Sequence, residues 1–173
     1  MRNFILAIFL VSTVALIAQS PQKIGYVDSQ IILTQLPEAI KAQSDLDALT
    51  NQWSTQVDSM KLALQQQYAD VQKQLATMTD DQKQLKQKEL IEKEQQIYQF
   101  QNQKFGQPNG EIYQRQETIF EPVKKKIYAA IEQVAKEEGM HFVFDKSGDI
   151  LLLYADSAYD ITFKVLDSLK RGK

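Results

Sequence analysis

Chemistry needs reactive side chains, and this sequence offers few. His141 is the single histidine and cysteine is absent, so neither a His/Cys metal cluster nor a serine–histidine pair with a nucleophile motif is available. His141 lies in the β-rich run MHFVFD and reads as a strand residue. No glycine-rich phosphate loop ending in Lys and Ser or Thr occurs. Asp80 and Asp81 are adjacent carboxylates, but at a helix start such a pair supplies cap and dipole stabilisation before it supplies acid–base work. Lys124, Lys125 and Lys126 form a basic run that reads as a solvated helix face in preference to a phosphate contact. No catalytic, metal or cofactor site follows from these residues, and the chain is expected not to be an enzyme.

The elements that would carry any function must then be long. Hydrophobic residues make up 43% of the 173 and charged residues 24%, while 6 Gly and 4 Pro leave few turns. Residues 1–20 stand apart: Arg2 precedes the uncharged run FILAIFLVSTVALIA, which is short for a membrane span and reads as a secretory signal peptide. Its removal takes away one positive charge and moves the formal balance from −2 to −3. With a pI near 5.5, the chain is not built to hold nucleic acid electrostatically.

After the leader, KIGYVD is a short β-rich run, and QIILTQLPEAIKAQ passes through Pro37 into a helical pattern. An ascending stripe runs Leu46, Leu49, Trp53, Val57, Met60, Leu64, Tyr68, Val71, Leu75, Met78. Two successive eleven-residue repeats in it average about 3.67 residues per turn, which predicts a straight or slightly right-handed helix. The stripe ends at TMTDDQ, where Thr79 or Asp80 serves as N-cap for a second helix. Leu90, Ile91, Ile97, Tyr98 and Phe105 recur at sevens on that helix, so the pair is expected to form an antiparallel hairpin. Its seam is assigned to Leu49, Trp53, Val57, Met60, Leu64, Tyr68, Val71 and Leu75 against Leu90 and Ile97. Leu62, Leu85 and Phe100 fall off the stripes and are candidate contact residues for a partner.

FGQPNG at 105–110 breaks the second helix. Gly106, Pro108 and Gly110 do not fit a regular helix, and they are read as a hinge between a hairpin arm and a body. On this reading, Ala-rich replacement of 106–110 gives a chain at least as stable as the original. A dense stripe of Ile112, Ile119, Val123, Ile127, Ile131 and Val134 then resumes. Past Gly139, a C-cap candidate, MHFVFD and DILLLYA read as two strands joined by a turn at Lys146, Ser147 and Gly148. Asp160 is the expected N-cap of a last helix. About three strands make a poor independent sheet, so Ile24, Val27, Phe142, Phe144, Leu151 and Leu153 are assigned to self-association.

A leader, KIGYVDSQIIL, a long polar hairpin and then AAIEQVAKEEGMHFVFDKSGDILLLYADSAYDIT together resemble the Skp (OmpH-like) family of periplasmic chaperones. The specific parts of the match are residues 23–33 and 129–162. The resemblance implies an α+β fold, with a small β-rich body at 21–40 and 106–173, a helical hairpin arm at 41–105, and three such chains in a homotrimer. It further implies a periplasmic, ATP-independent holdase that encloses unfolded outer-membrane β-barrel proteins between its arms and delivers them towards the outer membrane. Peripheral contact with the membrane or lipopolysaccharide is also implied, although this chain is acidic where the best-known members are strongly basic. The competing expectation is a structural or adaptor coiled-coil protein of the cell envelope.

Overall fold

The computed structural model describes residues 22–172, so the expected signal peptide, 1–20, lies outside them. The elements are strand β1 (Ile24–Val27), helices α1 (Ser29–Gln35), α2 (Pro37–Gln74), α3 (Asp80–Phe105) and α4 (Glu111–Glu137), strand β2 (Phe142–Asp145), a 3-10 turn at Ser157–Tyr159, and helix α5 (Thr162–Arg171). The described chain is mostly helical with one two-stranded sheet. Two compact units form. One gathers the described residues through Thr34 and from Ile127 onwards, and the other is Gln35–Lys126, wider at both ends than the arm drawn from the sequence at 41–105.

In the first unit, β1 and β2 pair in parallel, from Ile24 opposite Phe142 to Val27 opposite Asp145. Parallel neighbours cannot be joined by a tight turn and need a crossover, here the chain from 28 to 141. Tyr26, Val27, Ile32, Ile127, Ala130 and Val134 are buried, with Ile161, Val165, Leu166 and Leu169. Thr162 is the one buried polar residue among those described, and it is satisfied: its Oγ1 accepts from the Asp28 N–H at 2.9 Å and donates to Asp160 Oδ1 at 2.5 Å. Gly139 ends α4 at φ +63°, the left-handed conformation that suits glycine after a helix.

Asp145 gathers the end of the sheet. Its carboxylate accepts from the Ser29 N–H at 3.1 Å, the Ser29 hydroxyl at 2.5 Å and the Ser147 N–H at 3.0 Å. Burial pushes its pKa up, but the hydrogen bonds from Ser29 and Ser147 outweigh it and hold the carboxyl below its usual value.

Three expectations are corrected here. DILLLYA is not a strand: β2 pairs with β1 alone among the described residues, and 150–156 runs without regular structure. A turn does form at Lys146 and Ser147, closed by the Gly148 N–H donating to Asp145 O at 3.3 Å, and the Ser147 N–H and hydroxyl both bind the Asp145 carboxylate that also holds Ser29. The chain beyond this turn makes no ladder with β2. Asp160 is not the N-cap of α5, because the helix begins one residue later with Ile161 at the cap; Asp160 still accepts from the Thr162 N–H at 2.9 Å. His141 precedes β2, where its Nδ1 accepts from the Lys23 N–H at 3.1 Å.

In the second unit, Leu36 is extended and Pro37 takes the first turn of α2, where its missing N–H costs no hydrogen bond. At 1.5 Å per residue, the 38 residues of α2 reach about 57 Å and the 26 of α3 about 39 Å. Thr79 caps α3 in a reciprocal box: its hydroxyl accepts from the Gln82 N–H at 3.3 Å, and the Gln82 side chain accepts from the Thr79 N–H at 2.9 Å. Asp80 and Asp81 sit in the first turn, where carboxylates oppose the positive helix end, and Lys83 lies 3.1 Å from Asp80.

Candidate functional site: the helical hairpin and the exposed body segment

The hairpin is antiparallel. Trp53 meets Phe105 edge to face at 6.0 Å, while further along α2 the Tyr68 hydroxyl donates to Glu94 at 2.9 Å, nearer the start of α3. Trp53, Val57, Leu90 and Ile97 are buried. Leu49, Met60, Leu64, Val71 and Leu75 are half-buried, and Tyr68 is exposed with its hydroxyl engaged. Two helices can enclose only a narrow strip, so burial fades where no third element covers them.

The second helix carries two adjacent tracks at sevens, and the geometry separates them. The track through Leu90 and Ile97 is buried, whereas Ile91 and Tyr98 are exposed. Continuing the buried track by seven reaches Lys104, a residue the apolar pattern could not flag. Its side chain is mostly covered, with the ammonium 4.7 Å from the Trp53 ring centre and 5.7 Å from that of Phe100. Lys104 also pairs with Glu111 of α4, and Arg115 lies 3.5 Å from the same carboxylate. The Lys104 hydrogen bond, with lesser help from Arg115, holds the Glu111 carboxyl below its usual range.

These groups surround the break at 106–110, which is a closed turn. The Gly106 N–H donates to Asn102 O at 2.7 Å, the Gly110 N–H to Gly106 O at 2.5 Å, and the Tyr113 N–H to Gly110 O at 3.0 Å. Gly110 is buried, and a Cβ on it would lie 2.8 Å from Gly106 N, Gly106 O and the Phe105 carbonyl carbon. Within this turn, glycine at position 110 is required by backbone crowding, not merely tolerated; the expectation for Ala-rich replacement of 106–110 concerns a chain in which the turn itself is gone.

Of the off-stripe residues, Leu62 and Leu85 are exposed at 56% and 57%, and Phe100 is half-buried beside Lys104. In the body, Val27 is buried, whereas Ile24, Phe142 and Phe144 are exposed; Leu151 and Leu153 reach 83% and 87%. The lysine run is matched by acids: Lys124 to Glu117 at 3.0 Å, Lys125 to Glu121 at 3.1 Å, and Lys126 to Glu38. Pro122 inside α4 escaped the sequence reading, because the stripe continues through Val123 and hides the lost N–H. Among the described residues no group of three His, Cys, Asp or Glu could hold a metal ion, and no helix is long and apolar enough to cross a membrane.

A long antiparallel hairpin in one unit and a small parallel sheet in the other define a helical-hairpin α+β protein. A solved structure with this fold, described as a candidate OmpH-like outer membrane chaperone from Caulobacter crescentus, superposes with a TM-score of 0.73 at 14% identity, covering 90% of this chain and 88% of that one. The sequence profile of the outer membrane protein (OmpH-like) family matches residues 23–169, and the chain belongs to that family, in agreement with the sequence resemblance. Among proteins with curated functions, none matches it.

Proposed function

We propose that this protein is a periplasmic, ATP-independent holdase that binds unfolded outer-membrane β-barrel proteins and delivers them towards the outer membrane. Membership of the OmpH-like family supports this reading, and one structural observation carries it: a hairpin whose narrow seam leaves apolar side chains such as Leu62 and Leu85 in solvent on a glutamine-rich surface. Contacts of that kind are weak singly and add up along a disordered client. Release then needs no nucleotide, because the client leaves for the lower free energy of its folded state in the membrane.

The same reading makes the protein a homotrimer joined through its body, where Ile24, Phe142, Phe144, Leu151 and Leu153 lack cover in a single chain. The hinge at Gly106, Pro108 and Gly110 would adjust the arms to clients of different size. The test is light scattering of a urea-unfolded β-barrel protein diluted into buffer with the mature chain, without ATP and with a chelator. Suppressed aggregation in both conditions is expected. Unchanged aggregation would remove the holdase reading.

A further inference from the structure

Resting on that reading, we propose that one face of α3 grips the backbone of an extended, unfolded polypeptide. Gln84, Gln87, Lys88, Ile91, Glu92 and Gln95 recur at the three- and four-residue spacing of one face of this helix, and Tyr98, seven residues beyond Ile91, continues that face. Ile91 and Tyr98 are each one residue, about 100° of helix rotation, beyond the buried Leu90 and Ile97, so the face lies off the hairpin seam. Tyr98, at 71%, is the most exposed of the large apolar residues on the arm.

The chemistry of the face selects its occupant. Its two charges lie 3.8 Å apart, Lys88 to Glu92, so the face has no net charge with which to attract a phosphate backbone or an anionic lipid surface. What remains is three primary amides, each offering a donor pair and an acceptor. A folded protein has already paired nearly all of its backbone N–H and C=O groups, whereas an unfolded chain presents them in a continuous row. Amide side chains can bond that row whatever the client's sequence, while Ile91 and Tyr98 take up its apolar side chains. Each hydrogen bond exchanges with water for a small net gain, so the grip is broad in specificity and quick to let go.

The experiment uses the full mature chain and two probes: a short soluble peptide of alternating apolar and polar residues, and the same peptide N-methylated at alternate backbone amides. Binding is read by fluorescence anisotropy for the wild type, for a triple variant Gln84→Met, Gln87→Met, Gln95→Met, and for Ile91→Ser with Tyr98→Ser. Circular dichroism checks that helicity is retained. The wild type should bind the methylated peptide about tenfold more weakly, the loss expected for a few deleted hydrogen bonds. The triple Met variant should bind both peptides alike, and the double Ser variant should bind both weakly. Equal binding of the two peptides by the wild type overturns the proposal. Aggregation assays with a β-barrel client separate the two levels: if both variants hold it as well as the wild type, the face is wrong and the holdase stands. If the wild type itself fails to hold the client, the holdase reading falls and this inference with it.

Discussion

A methyl group at position 110 would have nowhere to go. The atoms it meets at 2.8 Å are main-chain atoms of residues 105 and 106, which belong to the closed turn itself. Gly110→Ala should therefore destabilise the chain by about 1–3 kcal/mol, the usual cost of overpacking against groups that cannot yield, despite alanine's better helix propensity. Urea denaturation checks this, and an unchanged midpoint would show that the turn relaxes freely. Glu111 in the same corner supplies a pH signature. Its folded-state pKa is depressed by Lys104, so its contribution is present above the unfolded value of about 4.3 and is lost as pH falls through the lower folded value. The stability gap between wild type and Glu111→Gln should be largest near neutral pH and close below about pH 4. A gap that persists in acid would mean that Glu111 acts through packing and not through its charge.

At the scale of elements, the hairpin depends on few buried side chains, and Trp53 is the largest of them. Trp53→Ala removes the ring that meets Phe105 and lies under the Lys104 ammonium, and a loss of about 3–5 kcal/mol is expected. Limited proteolysis should then cut α2 or α3 before the body; an unaltered cleavage pattern would locate the arm's stability elsewhere. The same corner bears on the hinge. Spin labels at positions 94 and 121, one on each side of the break, should give a broad distance distribution if Gly106, Pro108 and Gly110 flex, and Lys104→Ala should broaden it further. A narrow distribution in both proteins would make the break a fixed corner.

Much of this element-level structure was legible from residues alone. TMTDDQ, with Thr79 or Asp80 as cap, marks a helix start locally, and Gly106, Pro108 and Gly110 mark an end, because capping and propensity act over a few residues; the choice of Thr79 and its pairing with Gln82 come from the structure. Two tracks on the second helix repeat at seven; the seam is assigned from the sequence to Leu90 and Ile97 over Ile91 and Tyr98, and Leu90 and Ile97 are the pair that the facing helix covers. Lys104 was missed because a charged residue at a seam position reads as exposed until its aromatic and carboxylate neighbours are known. DILLLYA at 149–155 read as strand because Ile, Leu and Tyr favour strands, but propensity cannot supply the neighbouring edge a strand must pair with.

That missing edge sets the question for the whole molecule. Leu151, Leu153 and Tyr154 are more than four-fifths exposed, an arrangement a lone chain tolerates poorly and a partner surface would explain. If copies of this chain cover the segment, Leu151→Lys with Leu153→Lys changes little within the single chain, since substitutions at exposed sites usually stay within about 0.5 kcal/mol. The oligomer should nevertheless fall apart, because two ammonium groups would have to be buried unpaired at each contact. Native mass spectrometry should find trimer for the wild type and monomer for the double variant, with matching circular dichroism. A chain lacking residues 45–104, bridged by a short linker, should remain trimeric if the body alone carries assembly. A trimer that survives the lysine pair but is lost with the arm would place the contacts along the hairpin, and would leave the exposed leucines to a different partner.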